Sequence, residues 1–272
     1  MIPLAAPNLR GKETEYTAQA ISREYIGPSG PFVERFEEMV AKASGRKWAV
    51  ATITGTAALH AAMTVIGGFK STIAVAEMAF PAARNVLGMV GADVVAYVGG
   101  ENHDCAYYRH YCVADRAPAI GEPAVRSIVE CYSFAANKIA TCGHGGAMVG
   151  DDMNIRGDLR AVIHQGRNRS GRFNYRMADL NAAIGCAQME RLDELKEAKR
   201  RIWRRYADAG IPMMERGASR WMATTTRRLD INRLRDLGIE AREECGGTSL
   251  PCGTGLTEAD QDTVIRCVAS LS

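Results

Sequence analysis

The strongest constraint on the fold is an alternation of short apolar runs with turns and helical segments. Residues 48–53 form an apolar run, residues 54–56 have turn composition, and residues 57–63 have the composition of a helix start. The same order begins again at residue 72, and a further apolar run occupies residues 93–97. Repeated alternation of this kind favours a mostly parallel sheet covered by helices on both faces. The sequence therefore predicts an α/β fold.

Helical periodicity divides the rest of the chain. Segments 13–23 and 32–40 have helical character, and a Gly- and Pro-rich bend separates them. From residue 177 to about 209, apolar side chains recur on one helical face, which predicts a single long helix. We expect this helix to end a large domain of residues 1–209 and to lead into a reduced α+β domain of residues 210–272.

The small C-terminal domain contains two local patterns. Apolar residues between 229 and 239 suggest a strand, and a loop rich in Gly, Cys and Pro follows. Thr257 and Asp260 have the spacing of a capping box, which predicts that a helix begins there.

Length and composition limit the class of protein. With 272 residues, the chain is long enough for one large domain and a small one. No apolar stretch approaches the length of a membrane span, and the first residues lack the charged start and apolar run of an export signal. The eight cysteines show neither a Cys-x-x-Cys pair nor a histidine at zinc spacing, so no metal site is predicted. Reduced thiols in a cytoplasmic protein are expected.

Charge is distributed unevenly along the chain. The formal net charge is +3, but residues 156–228 hold 17 Lys and Arg against 8 Asp and Glu, a local charge of +9, which leaves −6 for the remainder. Solvated helix faces commonly look like this. The alternative is a surface for a polyanion such as nucleic acid, or for a nucleotide diphosphate.

A lysine and an aspartate carry the most specific chemistry. Lys138 lies just ahead of the Gly-rich turn 143–146, and Asp115 ends the apolar run 111–114. An amine can hold pyridoxal phosphate as a Schiff base, and a carboxylate can keep the ring nitrogen of that cofactor protonated. Asp115 would be presented at the carboxyl end of a strand, where ligands of open α/β sheets collect. The pair predicts a pyridoxal phosphate enzyme.

The turn after the first apolar run is suited to a phosphate. Thr54, Gly55, Thr56 and Ala57 stand where a predicted strand turns into a helix. Free backbone N–H groups and the helix dipole converge at such a point and attract an anion. By itself this turn is ordinary structure more often than a binding site.

Five segments in this order resemble the sugar aminotransferases of the DegT/StrS type, a branch of the fold-type I pyridoxal phosphate enzymes. They are the bend before Phe32, residues 54–60, the segment around Asp115, residues 133–138 with the glycine turn, and residues 174–177 leading into 182–185. The resemblance implies the fold-type I large domain, with pyridoxal phosphate as cofactor.

The resemblance also implies roles for individual residues. Lys138 would form the Schiff base and, once a substrate amine displaces it, move the proton at the substrate α-carbon. Ser133 together with residues 54–57 would hold the cofactor phosphate, and Phe80 would stack on the pyridine ring. Asn174 matches an asparagine that reaches the phosphate from the neighbouring subunit, which implies a homodimer with a shared active site.

Two departures from the family concern the cofactor and the scaffold. Pro118 stands where the family usually has a Gln or His, so contact with the ring hydroxyl of the cofactor is not expected from that position. The chain is also shorter than full-length relatives. Only a short loop fits between Tyr97 and Tyr107, and the part after Gly210 is reduced.

The implied activity is the transfer of an amino group from an amino acid such as glutamate to a keto sugar carried on a nucleotide. An alternative keeps the cofactor and changes the reaction, to decarboxylation of an amino-acid adduct of a nucleic-acid base, as in DNA hypermodification. The reduced scaffold and the basic segment 156–228 motivate this alternative. A third reading, a non-catalytic relic, is disfavoured because Lys138, Asp115 and Ser133 are all present.

Overall fold

The structure is a computed structural model of the 272-residue chain. It describes residues 1–66, 72–76, 81–91, 93–97, 106–108, 113–164, 173–215, 220–244 and 246–271.

The helices are, in chain order, α1 (Glu13–Ser22), α2 (Pro31–Ser44), α3 (Gly55–Ile66), α4 (Pro81–Met89), α5 (Met153–Ile163), α6 (Asp179–Glu190), α7 (Leu192–Asp208), α8 (Ile231–Asp236) and α9 (Glu258–Ser270). The strands are β1 (Trp48–Thr52), β2 (Thr72–Ala76), β3 (Asp93–Tyr97), β4 (Ala106–Tyr108), β5 (Val113–Asp115), β6 (Val129–Ser133), β7 (Gly146–Gly150), β8 (Ala223–Thr225), β9 (Arg242–Glu244) and β10 (Gly247–Leu250).

The main sheet is mixed, which corrects the prediction of a mostly parallel sheet. Its strand order is β1-β7-β6-β5-β4, and among these pairings only β5 with β6 is parallel. A parallel connection needs a crossover, usually a helix. Residues 134–145 instead fold back on β6, where Phe134 N–H donates to Gly145 C=O at 2.9 Å, so β7 returns antiparallel. Strands β2 and β3 form a separate parallel pair.

Helices cover both faces of this sheet, as predicted. Alternate residues of β1 point to opposite sides, so that Ala49 and Ala51 lie in a core with α1, α2 and α6. Trp48 and Val50 lie in a second core with α3, α4 and α5. Side chains alternate between the two faces of a strand, and both faces of β1 are apolar and covered, so β1 is completely buried.

The single long helix predicted from 177 to about 209 is wrong, because the chain turns at Arg191 between α6 and α7. The Arg191 side chain is held by Glu194 at 2.7 Å and by the Asn8 side chain at 3.4 Å. On the preceding turn, Gln188 donates to Asn8 C=O at 2.8 Å. These bonds fix the turn at Arg191 against the N-terminal segment, so α6 and α7 do not form one straight helix.

The C-terminal part has its own buried cluster, which includes Ile202 and Tyr206 of α7 together with Leu234, Leu250 and Val264. Residues on both sides of the predicted boundary at 209 and 210 contribute to it. The division into domains 1–209 and 210–272 therefore stays a prediction.

One of the two local patterns in this part is confirmed and the other is wrong. Thr257 and Asp260 form the predicted capping box at the start of α9. The proposed strand near 229–239 is instead helix α8, because Asp230 caps it by accepting from the backbone N–H groups of Asn232 and Arg233 at 3.0 Å each. Within the described ranges, none of the helices is long and apolar enough to cross a membrane.

The buried carboxylate of Glu130 connects β6 to neighbouring segments of the chain. Glu130 on β6 is 0% exposed and accepts from Arg46 at 2.6 Å and from the Tyr132 hydroxyl at 2.7 Å. The Arg116 guanidinium lies 3.5 Å from the Glu130 oxygen that accepts from Tyr132. Burial and the neighbouring Glu130 raise the pKa of Tyr132, which keeps that hydroxyl a donor. The network fixes the segment after β5 to β6.

Removing this carboxylate should destabilise the protein strongly. Glu130→Ala would leave the buried Arg116 without its carboxylate and would leave Arg46 paired with the half-exposed Asp151, at a cost of about 3–5 kcal/mol in the free energy of unfolding. Urea unfolding measures this. The matched control is Glu197→Ala, which breaks ion pairs to Arg200 and Arg204 on a half-exposed face and should cost less than about 1 kcal/mol. Equal losses in the two variants would contradict a structural role for the buried network.

Candidate active site

Three strands deliver their carboxyl ends to the same edge of the main sheet. Because β7 is antiparallel to both β1 and β6, those two strands run in the same direction, and β5 is parallel to β6. Thr52, Asp115 and Ser133 are the last residues of β1, β5 and β6. Ligands of open α/β sheets bind at such an edge. The candidate site is therefore built on this edge.

The turn after β1 starts helix α3 beside Ser133. Thr54 caps the helix, because its hydroxyl oxygen accepts from Ala57 N–H at 3.0 Å and its C=O accepts from Ala58 N–H at 3.0 Å. A Cβ on Gly55 would lie 2.7 Å from the Cβ of Ser133, so only glycine permits this approach. The first turn of α3 and the Ser133 hydroxyl thus face one another.

A second glycine, Gly146 on β7, lets the same turn approach the sheet closely. A Cβ on Gly146 would lie 2.3 Å from Thr54 C=O and 2.6 Å from Gly55 N. Backbone N–H groups at a helix start, the helix dipole and a serine hydroxyl form a cradle for a dianionic phosphate. The predicted phosphate residues Thr54, Gly55, Thr56, Ala57 and Ser133 are brought together here.

Asp115 is partly buried at the end of β5, and its carboxylate accepts from Ala117 N–H at 3.0 Å. Burial raises the pKa of Asp115 above its ordinary value, whereas this N–H and the charge of Lys138 act to lower it. A carboxylate placed in an apolar setting is stabilised by a cation. Asp115 therefore fits the role of partner to a protonated ring nitrogen.

Lys138 lies in the loop between β6 and β7, where its N–H donates to Ala135 C=O at 3.0 Å. Its ammonium acts electrostatically on Asp115 and lies 3.6 Å from the ring centroid of Trp221. The structure thus brings Lys138, Asp115, Ser133 and the start of α3 to one edge. This set contains an amine, a carboxylate and a phosphate cradle, so it fits pyridoxal phosphate.

Asn174 lies next to this edge but outside the enclosed part of it. Ile53 N–H donates to Tyr175 C=O at 2.8 Å, and Thr52 pairs with Arg176, so residues 174–176 run beside the end of β1. The Tyr175 hydroxyl lies 3.0 Å from His60 Nδ1, which anchors the segment to α3. The Asn174 side chain itself is exposed.

The structure does not test the predicted roles of Phe80 and Pro118, and it reveals one residue, Trp221, that the sequence analysis did not predict. Phe80 lies outside the described residues, so its predicted stacking on the cofactor stays a prediction. Pro118 follows Ala117 in the turn after β5, and its predicted lack of contact with the ring hydroxyl of the cofactor stays a prediction. The missed residue is Trp221, whose indole N–H donates to Asn137 C=O at 2.8 Å across 84 positions of sequence. Its nearness to Lys138 follows from the tertiary fold, and no local motif announces it.

Comparison with known proteins identifies a family and close relatives. The profile of the DegT/DnrJ/EryC1/StrS aminotransferase family matches residues 7–107 and 116–219. GDP-perosamine synthase from Caulobacter vibrioides is 29% identical, over 98% of this chain and 97% of that protein. EpsN of Bacillus subtilis, assigned as a pyridoxal phosphate-dependent aminotransferase, is 26% identical over 99% of this chain and 95% of that protein.

Solved structures share the fold. PseC of Helicobacter pylori, an aminotransferase involved in the biosynthesis of pseudoaminic acid, covers 98% of both chains with a TM-score of 0.84 at 15% identity. The alignment with the Caulobacter protein spans 361 positions, more than the 272 residues of this chain, so that relative contains internal segments that are missing here. The family match is interrupted between residues 107 and 116, a gap that contains Asp115 and follows the shortened connection predicted between Tyr97 and Tyr107.

A side chain at Gly146 should damage the phosphate cradle. In Gly146→Ala the new Cβ collides with Thr54 C=O, so the turn must move, and we expect a loss of about 1–3 kcal/mol in stability together with weaker binding of pyridoxal phosphate. Cofactor titration and thermal unfolding measure both effects.

The matched control is Gly157→Ala on the exposed side of α5, where nothing lies within 4 Å of the added Cβ. It should raise stability by about 0.5–1 kcal/mol and leave cofactor binding unchanged. Undiminished cofactor affinity in Gly146→Ala would contradict the position assigned to the phosphate.

Proposed function

Because this chain belongs to the DegT/DnrJ/EryC1/StrS aminotransferase family, we propose that it moves an amino group from an amino acid to a keto sugar carried on a nucleotide. Its cofactor is pyridoxal phosphate. The observation that carries the proposal is the convergence of Lys138, Asp115 and Ser133 at one sheet edge beside the start of α3.

In this proposal each group of the site holds one part of the cofactor. Lys138 binds it covalently, Asp115 pairs with its ring nitrogen, and Ser133 with residues 54–57 holds its phosphate. When bound, pyridoxal phosphate withdraws electrons from the substrate carbon that bears the amino group. Asp115 supports this withdrawal by keeping a full positive charge on the ring nitrogen.

Lys138 has a second task in the reaction. Once a substrate amine has displaced it, its free amine is the base that takes the proton from the substrate α-carbon and returns a proton to the cofactor side. The loop that carries Lys138 is held at Ala135 and at Asn137, so that the amine stays at the site after displacement. One lysine therefore serves both attachment and proton transfer.

A nucleotide-linked sugar is the acceptor that the relatives favour, since the Caulobacter protein is named for a GDP-linked amino sugar. Residues 156–228 carry a local charge of +9, which is compatible with a substrate that bears a diphosphate. None of the relatives named above is a decarboxylase, so the comparisons do not support the decarboxylation alternative.

We further propose that the active site is shared between two subunits. Asn174 lies beside the site edge on a segment fixed to β1, yet its side chain faces outward from the protomer. A homodimer would place this amide against the phosphate cradle of the neighbouring subunit. Symmetric pairing makes such sharing reciprocal, so each dimer has two composite sites.

The first test is the donor half-reaction. Glutamate or glutamine should convert the bound cofactor to pyridoxamine phosphate, seen as a change in its absorbance spectrum. Lys138→Ala should reduce the rate by at least about 10²–10⁴-fold, since it removes the base. Lys42→Ala, on the exposed side of α2, is the matched control and should react normally. If neither amino acid changes the spectrum of the wild-type protein, transamination from these donors is wrong.

Subunit mixing tests the shared site. Lys138→Ala and Asn174→Ala should each be nearly inactive alone. After mixing and exchange of subunits, half of the dimers carry one intact site, so about one quarter of the wild-type activity should return. Activity that stays at the level of the parent variants, although exchange has been verified, would place Lys138 and Asn174 in the site of the same subunit and contradict the shared site.

A further inference from the structure

Trp221 is a contact point between the C-terminal part and the cofactor lysine. Its indole N–H donates to Asn137 C=O at 2.8 Å, and the ammonium of Lys138 lies 3.6 Å from its ring centroid. The same side chain packs against the core that contains Phe134 and against the C-terminal core that contains Leu250. Packing against both cores therefore fixes the ring, and its face contacts the amine of Lys138.

The position of the ring has a chemical consequence for Lys138. An aromatic face attracts an ammonium ion through its quadrupole, and tryptophan does so most strongly, whereas a neutral amine gains little from the same contact. Bonding to pyridoxal phosphate requires the neutral amine. The lysine nitrogen adds to the aldehyde carbon, a C=N bond forms, and the oxygen leaves as water. The ring therefore favours the form of Lys138 that cannot react.

We propose that Trp221 is a positioning residue that holds the amine of Lys138 in its charged form, and that the amine must leave the ring face before it binds the cofactor. The inference rests on the function proposed above, in which Lys138 carries the cofactor. It adds a residue from outside the family match, which ends at residue 219. It also assigns the C-terminal part a role in the behaviour of the lysine.

Two other charged groups bear on this contact. Asp115 on β5 acts on Lys138 electrostatically and favours the same charged form. Arg220 precedes Trp221 in the chain, but its guanidinium lies over Trp203, 4.6 Å from that ring centroid. Trp203 resembles Trp221 in having a cation on its face and an indole N–H bonded to a backbone C=O, that of Met214 at 3.1 Å. Trp203 is therefore a matched control at a different cation.

The test follows how cofactor capture depends on pH. Cofactor-free protein is mixed with pyridoxal phosphate, and capture is followed by absorbance and by borohydride fixation to the peptide that contains Lys138. In Trp221→Leu the pH of half-maximal capture should fall by about one unit, because the charged amine has lost its ring. Trp221→Phe keeps an aromatic face and should shift by less than half of that. Trp203→Phe should follow the wild-type curve.

A wild-type pH midpoint in folded Trp221→Leu would overturn the inference, because a ring with only a packing role would leave the midpoint unchanged. Failure of the proposed function looks different. If Lys138→Met still fixes the cofactor covalently, the lysine has been assigned wrongly. The pH curves of the Trp221 variants then no longer test the inference. The two results separate the inference from the premise it rests on.

A second measurement decides the matter if Trp221→Leu does not fold. Removing the ammonium with Lys138→Met should change the tryptophan emission of the cofactor-free protein, because one indole loses an adjacent charge. The same substitution in a Trp221→Phe background should leave the emission unchanged. An emission change that persists without Trp221, or no change in either background, would contradict the contact between this ring and Lys138.

Discussion

The close contact between the turn after β1 and the hairpin of β6 and β7 is the constraint on which the candidate site depends. Gly55 and Gly146 remove the two side chains that would keep the turn away from Ser133. With the backbones this close, the first turn of α3 and the serine hydroxyl face a common space. The glycines matter here for the room they leave, since neither lies in the left-handed region of φ. Any larger residue would separate the groups that hold the phosphate.

This contact explains how a shortened chain can keep the site. The direction of β1, β5 and β6 is shared although the sheet is mixed, and the chemically important residues follow those three strands. Strand β7 runs the other way, yet its first residue is Gly146, which lies at the same edge and supplies space instead of a side chain. The two places where the sequence predicts missing segments, residues 97–107 and the part after Gly210, do not include β1, β6 or β7, which make the phosphate cradle.

Local chemistry was predictable from the sequence, and long-range geometry was not. The capping box at Thr257 and the strand, turn and helix around Thr54 depend on residues a few positions apart, and both form as predicted. The break at Arg191 depends on bonds to Asn8, far away in the chain. The helix α8 was mistaken for a strand because apolar spacing over so short a segment cannot separate the two, and Asp230 decided it through its cap.

Trp221, the largest omission of sequence reasoning, is where the C-terminal part contacts the loop that carries Lys138. The ring is fixed by more than its own packing. Lys199 on α7 is buried and donates to Cys252 C=O at 2.6 Å, which joins the helix to the segment after β10. The Cys252 thiol in turn lies 3.7 Å from Trp221 C=O. Because α7 and the segment after β10 both lead to this tryptophan, the C-terminal cluster holds one aromatic face against Lys138.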